Sequence, residues 1–281
     1  MSPWQRFRRD PLAVTGAVFV IVFVVAAIAA PWLAPYDPTE QFFDGLTLEG
    51  SPLPPNREFW LGTDLLGRDL FSRLLYGARV SLLVGVVANA VAVTFGFVLG
   101  AVAGYARGWL GELLMRLTDL MMSFPSLLLA IALAAILRPS LWIVALVIAL
   151  VNWVQTSRVV YAQVSVLVEQ EYIQAARSLG AAQHQLLLWH VLPHLIPTAL
   201  VWGTLGISTT VLQEATLSFL GVGVQPPMPS WGGIINESQS FLQSAPWLVI
   251  FPGLSILGMS LAFNVLGDGI RDVIDPSGRG R

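Results

Sequence analysis

Six apolar runs, each close to twenty residues or longer, limit what this chain can fold into. They cover residues 12–33, 80–105, 113–137, 141–161, 196–219 and 247–266. A helix needs ~20 mostly apolar residues to cross the ~30 Å hydrocarbon core of a bilayer. Only 11% of the 281 residues are charged, against about 25% in an ordinary soluble domain, so polar surface is too scarce to clothe a water-soluble globule. The expected fold class is therefore all-α, a polytopic membrane protein with about six transmembrane helices. The first run holds Ala27-Ile28-Ala29, which superficially suits a signal peptidase. It is longer than the 7–15-residue core of a secretory signal and is expected to stay as a spanning helix.

An even number of spans puts both termini on one side, and the arginines say which. Arg6, Arg8 and Arg9 precede the first span, Arg107 and Arg116 flank the next inner turn, Arg158 and Arg177 the one after, and Arg271, Arg279 and Arg281 the tail. The positive-inside rule makes all of these cytoplasmic. The loop after the first span carries Asp37, Glu40, Asp44, Glu49, Glu58, Asp64 and Asp69 against Arg57, Arg68 and Arg73, so it is acidic and belongs outside. The expected organisation is a cytoplasmic N-terminus (1–11), a first transmembrane helix (12–34), an external loop (35–79), a five-helix transmembrane domain (80–270) and a cytoplasmic tail (271–281). Within the external loop, Asp64 with Arg68 and Asp69 with Arg73 are favourable i,i+4 pairs, and Leu66, Leu70 and Leu74 recur four apart. An amphipathic helix over about 64–76 follows, lying on the outer surface or anchoring the second span.

Several chemistries are excluded or disfavoured. Net charge is −2, which offers no basic face for nucleic acid. There is no cysteine, hence no disulfide, thiol nucleophile or thiolate metal site. All 15 basic residues are arginine, so the lysine of a nucleotide-binding P-loop is missing, and any ATP is hydrolysed elsewhere. His184, His190 and His194 lie in one loop with no acid or cysteine beside them and Pro193 between the last two, a poor metal set. Ser208 has no histidine within reach, which speaks against an intramembrane hydrolase. Inverted repeats and broken helices, the marks of an ion-gradient-driven secondary transporter, are not evident.

Glu214 falls well inside the fifth run. A carboxylate at that depth costs a few kcal/mol unless it faces protein or water, so it is a candidate for the translocation path or gate, or for a structural hydrogen bond to a neighbouring helix. Asn89 and Asn152 are weaker path candidates, and with Asn264 they equally suit helix-to-helix hydrogen bonding. Arg116 and Asp119 are spaced for a local ion pair, and Pro125 for a kink in the third span.

The most informative segment is the inner connector at about 162–195, long for a loop with no task. Helix formers from Glu169 to Ala176 are broken at Gly180, and a second short helical piece, 185–191, is expected to end at Pro193. Here the chain resembles the permeases of ABC importers, whose loop reads E-A-A-x-x-x-G and, nine residues later, I-x-L-P. Gln174-Ala175-Ala176, Gly180 and His190-Val191-Leu192-Pro193 match it, with Gln174 in place of Glu and His190 in place of Ile. Gly62-Thr63-Asp64-Leu65-Leu66-Gly67-Arg68-Asp69, Glu214-Ala215 with Leu217-Ser218-Phe219-Leu220-Gly221, Trp231-Gly232 and Asn264-Val265-Leu266-Gly267-Asp268-Gly269 are similar to further signatures of the dipeptide/oligopeptide/nickel subfamily, in its second, C-type permease.

The resemblance implies an ABC type I importer permease architecture and a path for short peptides, with nickel or another small solute as the alternative cargo. It implies four kinds of partner: a homologous permease completing a heterodimer, two cytoplasmic ATPase subunits that carry the ATP and Mg, an external substrate-binding protein, and the bilayer of a bacterial inner membrane. It assigns contact with the ATPases to Glu171, Gln174, Ala175, Ala176, Gly180, His190, Leu192 and Pro193. It gives this subunit no bound cofactor and no enzyme activity of its own.

Overall fold

The computed structural model describes residues 3–106 and 108–274, all of whose regular structure is helical. Arg107, Asp275, Pro276, Arg279 and Arg281, and the side chain of Arg6, lie outside the described residues. A short helix α1 (Pro3–Arg9) leads into α2 (Pro11–Leu33). The start of α2 is fixed by Asp10, whose Oδ1 accepts the Leu12 and Ala13 N–H groups at 3.0 and 3.3 Å, with Pro11 in the first turn where its missing donor is harmless.

Residues 34–69 form an irregular segment between α2 and the next helix, around the mutually packed rings of Tyr36, Phe42 and Phe59. The amphipathic helix expected over 64–76 is not there. Gly67 takes φ +73° and closes a turn, in which Asp64 Oδ1 accepts the N–H groups of Leu66 and Arg68 at 2.9 and 3.0 Å. Asp69 Oδ2 then accepts the Ser72 N–H at 2.7 Å, which opens α3 (Leu70–Ala106). At 37 residues α3 is about 55 Å long, well beyond the ~30 Å core, so part of it rises out of the membrane. Asp69 does not pair with Arg73. Arg73 instead reaches Asp64 and, at 3.0 Å, Glu237, while Arg68 bonds Asp64 at 2.6 Å and Glu237 at 2.9 Å.

The third expected span is two helices, α4 (Trp109–Met122) and α5 (Ser126–Ile136), set 85° apart. A kink at Pro125 was too mild an expectation. Pro125 disfavours helical backbone at Phe124, and Ser123 Oγ donates to the Leu120 carbonyl at 2.6 Å, ending α4. Among the described residues, five helices are long and apolar enough to span, or six spans if this bent pair counts as one. Arg116 pairs with Glu112 at 2.5 Å rather than with Asp119, which binds Arg158 at 2.7 Å from α6 (Leu141–Val168).

The connector after α6 holds α7 (Glu171–Ser178) and a single turn, α8 (Gln183–Gln185). A wide π-type turn over Leu186–Val191 then runs directly into α9 (Leu192–Phe219). The helical piece expected to stop at Pro193 therefore does not stop, because Pro193 sits in the first turn of α9. A short helix α10 (Trp231–Glu237) and the last span, α11 (Trp247–Ile274), complete the described residues.

α3 is the axis of the bundle, packed against α6, α9 and α2, and α11 fills the angle between α2 and α9. Gly96, Gly100 and Gly104 line α3 at four-residue spacing. A Cβ on them would strike the carbonyls of Trp153, Ser157 and Tyr161 of α6. Lipid tails supply no hydrophobic drive between helices, so such close backbone approach is how dispersion holds the pair.

Candidate functional site

Three groups of expected residues can be located, and they lie in three different places. The first is the elbow that α7 and α8 form between α6 and α9. Ile173, the one branched aliphatic residue of α7, is fully buried among Val160, Val164, Val168, Val191 and Leu195. Burying an isoleucine side chain is worth about 1.5–3 kcal/mol, enough to peg a helix of two turns. Glu171 in the first turn and Arg177 in the last complement the helix dipole. The helix ends in a Schellman motif, with Ala181 N–H on the Ala176 carbonyl at 3.2 Å and Gly180 N–H on that of Arg177 at 3.0 Å. Gly180 carries the required φ of +87°.

Glu171, Gln174, Ala175, Gly180, His190 and Pro193 are exposed, whereas Ala176 and Leu192 are half-buried against the body. Gln174 Nε2 donates to the Glu169 carbonyl at 3.1 Å, tying α7 to the end of α6. A glutamate there has no such donor, so this departure from the family pattern has a local structural role. Ile173 escaped the sequence reading, and its signal was the one branched aliphatic residue in a short helix of polar and small ones. His194 stands near the Tyr172 ring, centroids 6.3 Å apart. No cluster of three metal-ligating side chains occurs among the described residues.

The second group is Glu214, which is 0% exposed. Its carboxylate accepts the hydroxyls of Ser81 and Ser218, both at 2.7 Å. That encloses Glu214 inside the subunit, joining α9 to α3, so it faces no path in this structure. Next to this junction, Trp231 of α10 is buried and donates Nε1 to the Leu74 carbonyl at 3.0 Å. It lies over Gly77, where any Cβ would collide with its ring.

The third group is a polar cavity of about 130 Å³ at mid-depth, to which both Asn89 and Asn152 contribute. Asn89 Nδ2 donates to the Gly203 carbonyl at 2.7 Å, and Asn152 Nδ2 to Gln213 Oε1 at 2.6 Å. Gln155, Thr209 and Gln213 also line it and were missed. Their signal was polar residues spaced three and four apart within apolar runs.

Comparison with known proteins places this geometry. Residues 96–280 match the family described as binding-protein-dependent transport system inner membrane component, and residues 2–55 match the N-terminal TM domain of oligopeptide transport permease C. The chain is 42% identical over 280 residues to the dipeptide transport system permease protein DppC of Alkalihalophilus pseudofirmus, covering 98% of this chain and 90% of that one. It is 43% identical over 277 residues to the glutathione transport system permease protein GsiD of Escherichia coli O6:K15:H31, covering 99% and 90%. A solved inward-facing structure of the MetNI methionine ABC transporter superposes with a TM-score of 0.61 at 17% identity, over 73% of this chain and 98% of that one.

Proposed function

We propose, from the premise that this chain belongs to the ABC importer permease family in its dipeptide/oligopeptide type, that it forms with a second permease the inner-membrane path of an ATP-driven importer of short peptides. Two ATPase subunits dock on α7 from the cytoplasm and close on ATP with Mg. An external binding protein delivers the cargo to the opposite face, beside α10 and the outer segment. Both termini and the elbow lie inside, as the arginine distribution requires. This subunit hydrolyses nothing itself. A peptide cargo is supported by the dipeptide and glutathione systems to which the two relatives belong.

The observation that carries the reading is the elbow. α7 is pegged by Ile173 and capped at Gly180, while Tyr172, Gln174, Ala175 and an 89% exposed Leu179 face away from the body. Tyr172, Ala175 and Leu179, spaced on one face, together present apolar surface outside the spans, which suits a groove in a soluble partner. Because α7 is hydrogen-bonded to the end of α6 and packs on the turn that becomes α9, a displacement of α7 is passed to two spans at once. Transport is then a shift between two states, driven by a partner that fits one of them better.

The test uses the subunit's lack of cysteine. Ala175→Cys in the assembled complex, labelled with a thiol-reactive photo-cross-linker, should form a cross-link to an ATPase subunit on illumination. Labelling of that cysteine only from the external face would refute the docking and the orientation together.

A further inference from the structure

The mid-depth cavity is the first of three that follow one another along the seam between α6 and α9. The next inward, about 430 Å³, shares Trp202 with it and includes Val159 and Arg271. The innermost, about 520 Å³, shares Gln163 and Thr198 with the second and reaches His194 beside the elbow. The two inner chambers have the size of ordinary small-molecule sites, about 300–1,000 Å³. The seam is richest in polar side chains at the first cavity, and farther along it polar residues punctuate a mainly apolar lining. Asn152 pairs with Gln213, and Gln163 Oε1 accepts the Thr198 hydroxyl at 2.8 Å.

Gln155 and Thr209 are exposed on the subunit surface at this depth, and neither side chain makes a hydrogen bond among the described residues. A carboxamide facing hydrocarbon without a partner is costly, so irregular polar surface at membrane depth belongs against protein or water. No carboxylate or guanidinium lines the mid-depth cavity, and Gln213 faces it while the adjacent Glu214 is turned into the protein against Ser81 and Ser218.

Resting on the function proposed above, we infer that this groove is the subunit's wall of the translocation path, and that Gln155, Thr209 and Gln213 are its cargo-contacting residues at the narrow mid-depth point. Carboxamides and hydroxyls both donate and accept, as a peptide bond does. A neutral lining can therefore follow the backbone of a passing peptide while holding neither its charged ends nor its side chains. A wall of this kind selects for amide-containing solutes without fixing the sequence of the peptide. Arg271, the charged group lining the second chamber, places positive charge only near the inner exit.

The test is substrate protection in the reconstituted complex with its partner permease, ATPases and binding protein. Gln155→Cys and Thr209→Cys are made separately, with Ile21→Cys, 60% exposed on α2, as the lipid-facing control. The probe is a charged, membrane-impermeant methanethiosulfonate, and labelling is read on this subunit by mass. The cargo is dialanine or glutathione, whichever the native complex takes up. Both groove cysteines should label about tenfold faster than the control, since a water-filled path admits a charged reagent and lipid does not, and cargo should slow them severalfold. Labelling no faster than the control, or rapid labelling that cargo leaves unchanged, overturns the inference while the proposed function stands. A native complex that takes up neither peptide overturns the function itself.

Discussion

Replacing Gly180 tests the elbow through backbone energetics alone. Its φ is +87°, and a Cβ built there meets nothing within 4 Å, so side-chain size should not matter. What matters is the cost of the left-handed conformation. For an L-residue with a Cβ that is about 1–2 kcal/mol. It approaches ~3 kcal/mol for a β-branched side chain, at the top of the range for such strain, and it is least for asparagine, which visits this region readily. One to two kcal/mol is a factor of about 5–30 in a two-state population, here the population with the Schellman cap closed and α7 aligned for docking. Gly180→Asn, Gly180→Ala and Gly180→Val should then lose coupling in that order. The assay is peptide uptake per ATP hydrolysed in proteoliposomes, with the amount of complex in the membrane as the control for insertion. Uncoupling by Gly180→Val should be severalfold or more, with insertion intact. The reasoning fails if asparagine is worse than alanine, which would mean that volume decides, or if the valine variant couples fully.

Other expectations follow from the same contacts. Glu214→Leu leaves the Ser81 and Ser218 hydroxyls buried without their acceptor and should destabilise the subunit by about 2–4 kcal/mol; Glu214→Gln should cost clearly less, both read by thermal unfolding of the purified complex. Gly100→Leu pushes a side chain into the Ser157 carbonyl across the α3–α6 contact and should lower the yield of assembled complex sharply, as over-packing costs about 1–3 kcal/mol or more. Arg73→Met removes a 2% exposed guanidinium shared by Asp64 and Glu237 and should cost about 2–4 kcal/mol, moderated by the remaining Arg68, with faster proteolysis around α10 as the readout. Asp37, outside the membrane, has its carboxyl held below the ordinary aspartate range by the side-chain and backbone hydrogen bonds from Thr39. Its contribution is therefore present above the unfolded pKa and is lost as pH falls through the depressed folded value. Thr39→Val should move the titration upward, as seen by carboxyl-carbon NMR.

Much of this protein was legible from residue order because the bilayer sees mainly one-dimensional information. A run of twenty apolar residues favours a helix of spanning length, as every run here became except 113–137, so the all-α class and the runs near 12–33, 141–161, 196–219 and 247–266 needed no tertiary knowledge. The turn that ends α7 was equally visible, since Gly180 marks it. Where two distant segments compete for one partner, sequence spacing gave the wrong answer. Arg73 lies four residues from Asp69 yet binds Asp64 and Glu237, because Asp69 is occupied in capping α3. Arg116 and Asp119 likewise found other partners.

Facing also required the fold. Glu214 and Gln213 are neighbours in the chain, and nothing local says that one turns inward to two serines while the other lines a cavity. That depends on which helices lie on either side of α9, a property of packing that periodicity alone cannot supply. The 85° break at Pro125 and the continuous passage through Pro193 make the same point from the backbone. One proline follows a turn already closed by Ser123, the other stands in a first turn where its missing donor is unneeded, and only the surrounding structure tells them apart.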